Sequence, residues 1–98
     1  MHVYIQWHEE KRRRNLREHG VDFIDLEHFF AGELLTEEDV RYQYAESRFQ
    51  SIGMLGDCVV HVVWTPADDE STTIRVISAR KATYRETQAW FHRYGTRH

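Results

Sequence analysis

The spacing of apolar residues predicts a small domain whose elements follow the order β-α-α-β-β-β-α. Val3 to Trp7 alternates like a short strand. Cys58 to Trp64 is apolar at every position except His61, which is typical of a central strand covered on both faces. Because short turns join the strands, we expect a mainly antiparallel sheet of about four strands and an α+β class.

Two helices are predicted near the N-terminus and one near the C-terminus. The first runs from about His8 to His19, with Gly20 as a natural residue just beyond its end. The second is short, follows Asp22 and ends at Gly32. Its apolar face consists of Phe23, Leu26 and Phe30.

The middle of the chain has a less regular pattern. Leu34 to Asp39 is typical of an acidic loop or the start of a hairpin. From Val40 to Ile52 we expect a strand with a bulge near Ala45–Ser47, and a turn with two glycines at Gly53–Asp57. The alternating positions at the start of this strand are Val40, Tyr42 and Tyr44.

The last third of the chain predicts a loop at Thr65–Thr72, a strand at Ile74–Ala79 and a final helix. Thr83 and Glu86 have the spacing of a capping box that opens this helix. Regular alternation along the strand would place Ile74, Val76, Ser78 and Arg80 on one face, and Arg75, Ile77 and Ala79 on the other.

Length and composition indicate that residues 1–98 form one folded domain. The 98 residues are 41% hydrophobic and 13% aromatic, which is typical of a globule with a single core. The one cysteine, Cys58, excludes an internal disulfide framework and fits a reducing compartment. No apolar run approaches ~20 residues and no signal-peptide core is visible, so we expect a cytoplasmic protein with no membrane partner.

The net charge of −3 conceals a strong asymmetry along the chain. Residues 11–17 hold five basic side chains and no acid, residues 22–46 hold eight acids against Arg41, and residues 71–98 hold six basic side chains against Glu86. Two basic ends can hold a polyanion despite the overall charge. The same layout is also compatible with chance. The acidic block is compatible either with repulsion of nucleic acid or with attraction of a basic partner.

One face of the first predicted helix carries recognition groups. Trp7, Lys11, Asn15 and His19 recur every fourth residue, and since each such step drifts only ~40° they form one slanting stripe. An aromatic ring, a cation, an amide and an imidazole suit a polar site or a partner. A solvated helix whose last turn carries a histidine is the competing interpretation.

Several cations are candidates for binding phosphate. Arg80 and Lys81 fall where the last strand meets the capped helix, a location that suits an anion. Arg48 on a neighbouring predicted strand and Lys11 on the first helix would be able to converge on the same anion. Alternatively, each arginine packs its stem on an aromatic surface.

The seven histidines do not predict a metal site. No tight ligand pattern is present, and a single cysteine cannot form a cysteine-rich zinc centre. His61, inside an apolar strand, is interpreted as a hydrogen-bonded core histidine. We therefore expect no metal and no cofactor.

Three blocks together resemble a known family, the BrnT-type toxins. They are WHEEK at 7–11 with NLREHGVDF at 15–23, then RF and IG within 48–53, then IRVISARKA at 74–82 with Glu86 beyond. The resemblance extends over about residues 4–94 in the same order.

This resemblance implies a RelE-like α+β fold and a ribonuclease toxin of a type II toxin–antitoxin pair. It further implies metal-independent RNA cleavage and neutralisation by a BrnA-type antitoxin that carries a ribbon-helix-helix DNA-binding end. Toxin and antitoxin would form a heterotetramer that binds operator DNA through the antitoxin and represses its own operon.

Site residues follow from the matched motifs. The implied catalytic residues are Lys11, Arg48 and Arg80, and the implied substrate-binding residues are Trp7, His19, Ser78 and Lys81. Asn15, His19 and Ser78 match motif positions for which a structural role is the alternative interpretation.

One position departs from the family pattern, in which Asp usually follows the tryptophan. This chain has His8 there, and a histidine is a poor N-cap. The departure and the acidic block motivate an alternative function, a catalytically weak relative that binds an antitoxin and tunes transcription. An accidental match of an unrelated α+β domain is the third possibility.

Overall fold

The computed structural model describes residues 3–41, 43, 45–68 and 72–95, which form a five-stranded sheet and three α-helices. The strands are β1 (Tyr4–Gln6), β2 (Leu35–Glu38), β3 (Phe49–Leu55), β4 (Cys58–Pro66) and β5 (Thr73–Lys81). The helices are α1 (Glu9–His19), α2 (Leu26–Ala31, directly after a 3₁₀ turn at Phe23–Asp25) and α3 (Tyr84–Tyr94). The predicted α+β class is confirmed, with one strand more than the four expected.

The sheet has the strand order β1-β5-β4-β3-β2. β1 pairs with β5 in parallel, and the other three pairings are antiparallel, so the mainly antiparallel sheet is confirmed. β4 lies in the middle, as its apolar pattern predicts. Local chemistry also agrees at helix ends: Gly20 follows α1 with φ 74°, and Thr83 and Glu86 form the capping box of α3.

One face of the sheet, together with α1 and α2, encloses the core. Phe23, Leu26 and Phe29 are fully buried against this face. The strands contribute Val60, Val62, Val76 and Ala79 to the same cluster. α3 lies on the opposite side, where Trp90 Nε1 donates to the Glu33 carbonyl and the Tyr94 hydroxyl donates to the Leu34 carbonyl.

The predicted strand from Val40 to Ile52 is wrong in its first part. Val40 is 76% exposed, and no described residue from 40 to 48 belongs to a strand, while Tyr42 and Tyr44 lie outside the described residues. The strand that pairs with β3 is instead Leu35–Glu38, in the segment expected to be a loop or hairpin lead-in. An edge strand needs few apolar residues, so the acidic sequence of Leu35–Glu38 does not predict a strand. Gly53 lies within β3, and the turn is at Gly56–Asp57.

The predicted faces of the last strand are also wrong, because β5 contains a bulge. Val63 pairs with Ser78 but Trp64 pairs with Val76, so Ile77 is an additional residue in β5. Val76 and Ala79 therefore share the core face, at 1% and 0% exposure. Ser78 and Arg80 are turned to the opposite face. The bulge expected near Ala45–Ser47 is wrong, because these residues do not belong to a strand.

No described helix is long and apolar enough to cross a membrane.

Candidate functional site

The sheet face opposite the core is polar and only partly covered. Strand pairing places Gln50, His61, Val63, Ser78 and Arg80 together on this side, which we call the open face. α3 covers one end of it. The β5 bulge is what brings Arg80 here, because without the additional residue its side chain would point into the core.

Arg80 is held by a bidentate ion pair with Glu86, at the start of α3. Its two terminal nitrogens lie 2.9 and 3.0 Å from the two carboxylate oxygens, and one of them also donates to the Lys81 carbonyl. The Arg80 hydrogen bonds lower the pKa of Glu86 to about 2. Since Glu86 also accepts from the Thr83 amide in the capping box, one carboxylate fixes both the helix start and the guanidinium.

His61 lies directly opposite Arg80 in the β4–β5 register. It is 6% exposed, and its Nε2 lies 2.9 Å from Gln50 Oε1, so the predicted burial and hydrogen bonding of His61 agree with the structure. The ring lies on the open face, however, and not in the core cluster. Burial lowers the pKa of His61, and the neighbouring positive charge of Arg80 lowers it further. The imidazole is therefore kept neutral beside the Arg80–Glu86 pair.

A cleft of about 360 Å³ opens between this part of the sheet and α3. We call it the His61 cleft. It is lined by Leu35, Thr36, Glu37, Gln50, Ile52, His61, Glu86 and Ala89. It thus combines an apolar floor with amide, imidazole and carboxylate groups, directly beside the Arg80 ion pair.

Arg48 precedes β3 by one residue, and its carbonyl accepts from the Asp39 amide, which continues the β2–β3 ladder. Alternation from Gln50 then places Arg48 on the side of the open face. Its Nε is buried. Glu46, two residues earlier in the chain, accepts from Arg75 Nη2 at 3.1 Å.

Trp7 and Lys11 are placed away from the His61 cleft. Trp7 packs edge-on against the core residue Phe23, with ring centroids 6.4 Å apart, and its Nε1 lies 3.4 Å from Glu9 Oε1. Lys11 is half-buried and lines a separate depression with Glu10 and Arg14, among others. The two depressions have no lining residue in common. Convergence of Lys11 on the anion site of Arg80 therefore stays a prediction.

The remaining predicted site residues differ in location. Ser78 is half-buried on the open face, next to Arg80 along β5. Lys81 is exposed and pairs with Val60, on the core side of the strand end. His19 is exposed in the last turn of α1, where a helix-end role is sufficient to explain it.

Sequence reasoning missed Gln50 and the ion-pair role of Glu86. Gln50 follows the RF motif at 48–49, but an isolated glutamine in a strand has no distinctive signal. The sequence predicts Glu86 only as a capping residue, although the basic residues just before the helix are a signal for its second role.

No group of three or more His, Cys, Asp or Glu side chains in the part of the chain that the structure describes has the geometry to hold a metal ion. The open face carries the Arg80 guanidinium, the His61 imidazole and the Ser78 hydroxyl. Such a set stabilises negative charge on phosphate oxygens.

Comparison with known proteins gives two consistent findings. Residues 7–86 match the family model described as "Ribonuclease toxin, BrnT, of type II toxin-antitoxin system". A 1.1 Å crystal structure of the Brucella abortus ribonuclease toxin BrnT is similar to this chain, with a TM-score of 0.60 and 30% identity over 83% of this chain and 97% of that chain. A search of curated proteins gave no match.

Proposed function

This chain belongs to the BrnT family of ribonuclease toxins of type II toxin–antitoxin systems, and from this we propose that it is a metal-independent endoribonuclease whose anion site is the open face. The location of Arg80 is the main observation that supports this proposal. The β5 bulge turns this guanidinium to a half-open polar surface, beside a cleft that is large enough for a small ligand.

In the proposed reaction the RNA 2′-hydroxyl attacks the adjacent phosphorus. The new O2′–P bond forms as the P–O5′ bond breaks, which yields a 2′,3′-cyclic phosphate and a 5′-hydroxyl. The 2′-hydroxyl loses a proton and the departing 5′ oxygen gains one. Negative charge on the phosphorane oxygens is stabilised by Arg48 and Arg80, which reach the same side of the sheet.

The Glu86 carboxylate orients Arg80 and competes with phosphate for it. The bidentate pair holds the Arg80 guanidinium in a fixed plane, so the N–H donors that Glu86 does not use have a fixed direction. Ser78 and Lys81 are assigned to RNA backbone contacts near the same strand end.

Lys11, Trp7 and His19 form the second part of the proposal. Lys11 acts as a further electrostatic group or a proton carrier, and Trp7 offers a ring on which a base stacks. In this scheme the RNA continues from the open face towards the N-terminal end of α1. Packing of Trp7 on Phe23 limits the exposed part of its ring.

The proposed partner is a BrnA-type antitoxin with a ribbon-helix-helix domain. Toxin and antitoxin would form a heterotetramer that binds operator DNA through the antitoxin and represses its own operon in the cytoplasm. Membership of a type II family supports an antitoxin partner. A short neighbouring reading frame for a ribbon-helix-helix protein would support this partner.

Induced expression tests the nuclease proposal. Growth and RNA integrity are compared for the parent, Arg80→Ala, Arg48→Ala and a control, Arg85→Ala, which removes an exposed guanidinium from α3. We expect arrest and RNA cleavage with the parent and the control, and loss of both with the other two variants. If all four proteins behave alike, the nuclease assignment fails.

Two observations favour a second candidate, an antitoxin-binding relative with little turnover. Both terminal nitrogens of Arg80 are already bound to Glu86, and His8, the N-cap residue of α1, makes no side-chain capping hydrogen bond. A tight antitoxin complex from a protein that cleaves no RNA would support this alternative.

A further inference from the structure

The His61 cleft has the shape and composition of a small-molecule site rather than of a flat strand surface. Its volume of about 360 Å³ lies within the ~300–1,000 Å³ that such sites occupy. Ile52 and Leu35 form an apolar floor on the sheet, and Ala89 of α3 forms a wall. An aromatic base would bury its faces between these surfaces.

Polar groups lie at one edge of the cleft and are arranged by strand pairing. Glu37 on β2 is directly opposite Gln50 on β3, so the two side chains share a face. Gln50 Oε1 is engaged with His61 Nε2, which leaves the Gln50 amide nitrogen as a donor. Within residues 3–41, 43, 45–68 and 72–95, the Glu37 side chain makes no hydrogen bond or ion pair, so its carboxylate is left as an acceptor at the rim.

We propose that the His61 cleft binds one guanine base of single-stranded RNA; this inference rests on the proposed function and names the base adjacent to the phosphate that is cut. Guanine presents two neighbouring N–H donors on its Watson–Crick edge and a carbonyl acceptor beside them. The Glu37 carboxylate accepts from both donors, and the Gln50 amide donates to the carbonyl. Single-stranded RNA is commonly read by such edge contacts.

The other bases fit this edge less well. Adenine and cytosine place an unprotonated ring nitrogen next to their amino group, and this nitrogen would face the carboxylate. Uracil has one N–H between two carbonyls, so it too brings an acceptor towards Glu37. Each of these contacts leaves a lone pair against a negative charge, which is the basis of the expected discrimination.

The cleft is continuous with the anion site. Glu86 lines the cleft and holds Arg80 at 2.9 and 3.0 Å, and His61 lies opposite Arg80 in the sheet. A base in the cleft would therefore place its own phosphate near Arg80. Because Arg80 offsets the charge of Glu86, the remaining negative charge at the rim is that of Glu37.

Cleavage mapping with a matched pair of variants tests the base site. The 5′ ends of fragments from a random-sequence RNA are sequenced for the parent, Glu37→Gln and Glu38→Gln. Glu38 is also exposed on β2 but pairs with Phe49, on the other face of the strand. We expect the parent and Glu38→Gln to favour cleavage next to guanine by about tenfold, and Glu37→Gln to lose most of this preference while it still cuts RNA. A parent without guanine preference, or a preference unchanged in Glu37→Gln, would overturn the proposal.

Binding is measured separately, so that the base site is distinguished from the nuclease activity. Guanosine 3′-monophosphate and uridine 3′-monophosphate are titrated into the full chain, and backbone amide shifts are followed by NMR. Saturable shifts at Gln50, Ile52 and His61 with the guanosine nucleotide alone would support the base site, even if the protein cuts no RNA and the nuclease proposal fails. Equal shifts with both nucleotides, or none with either, would contradict the site.

Discussion

The side chain of Asn15 hydrogen-bonds to both backbone groups of Ala79. Its Oδ1 accepts from the Ala79 amide at 3.1 Å and its Nδ2 donates to the Ala79 carbonyl at 2.8 Å. β1 pairs with β5 only as far as Arg75, so among the described residues the outer edge of β5 beyond that point has no strand partner. Asn15 occupies the place of that missing strand and ties α1 to the strand that carries Arg80.

Replacement of Asn15 by Ala should destabilise the protein strongly. It would leave the amide and carbonyl of Ala79 and the carbonyl of Val21 without their buried partner. At ~1–3 kcal/mol for each unsatisfied group, with partial relaxation, we expect a loss of about 3 kcal/mol in the free energy of unfolding. Urea denaturation measures it, with the exposed His19→Ala as control. A loss below about 1 kcal/mol would show that water replaces the amide.

Glu86→Gln should lower stability at neutral pH and flatten its acid dependence. The pKa of Glu86 is lowered by Arg80 to about 2, from its ordinary value of 4.5. Its contribution is therefore fully present above pH 4.5 and is lost as the pH falls towards 2. Because Arg80 is 37% exposed, we expect only about 1–2 kcal/mol.

Unfolding curves for parent and Glu86→Gln between pH 7 and 2.5 provide the measurement. The two curves should converge towards the acid end. Parallel curves would mean that Glu86 is not ionised differently in the folded and unfolded states.

Protonation of the buried His61 ring should make the protein less stable in mild acid. Burial lowers its pKa, with a further effect of Arg80, so the unfolded chain binds this proton more readily than the folded one. Stability is complete above the unfolded value of ~6.5 and decreases as the pH falls below it. NMR titration of the His61 ring gives the folded pKa directly. A value at or above 6.5 would contradict the prediction, and His61→Gln should show a smaller decrease in stability across this range.

The sequence predicts elements whose own residues encode them. The α1 boundary at Gly20, the capping box of Thr83 and Glu86, and the central apolar strand are all local features, and each is confirmed. Strand β2 is not predicted because it is an edge strand. Hydrogen bonds to β3 stabilise it, and the intrinsic strand propensity of its four residues, Leu35–Glu38, contributes little.

The candidate site was only partly predictable for a related reason. Arg80 was identified from its motif, but regular alternation assigned the faces of β5 wrongly, because one additional residue at Ile77 has no signature in a run of β-formers. Long-range pairs such as Gln50 with His61 depend on register, which the sequence alone does not provide.

Variants of Trp7 separate packing from RNA contact. Trp7→Phe keeps a ring against Phe23, whereas Trp7→Ala removes it and should cost about 2–3 kcal/mol of unfolding free energy. If Trp7 also stacks on a base, Trp7→Phe should retain stability within about 1 kcal/mol but bind RNA oligonucleotides several-fold more weakly, since the smaller ring offers less stacking surface. Fluorescence-anisotropy titration checks the second effect. Unchanged RNA affinity would restrict Trp7 to a packing role.

Gly53→Ala should destabilise the contact between β3 and the segment before β2. A Cβ at Gly53 would lie 2.5 Å from Leu34 Cδ2, 3.2 Å from the Glu33 carbonyl oxygen and 3.2 Å from Phe29 Cε1. The Leu34 methyl is able to turn away. The Glu33 carbonyl is held by Trp90 Nε1 and the Phe29 ring is fully buried, so neither has room to move.

We therefore expect Gly53→Ala to lower the free energy of unfolding by about 1–3 kcal/mol, the usual cost of overpacking. Gly32→Ala is the matched control, because its φ is −95° and the nearest atom to its Cβ is 3.6 Å away. This control should change stability by no more than about 1 kcal/mol, and in the stabilising direction, since alanine restricts the unfolded chain. Thermal and urea unfolding of the two variants decide the matter. Equal stability of Gly53→Ala and Gly32→Ala would mean that β3 shifts away from Glu33 without a loss in the free energy of unfolding.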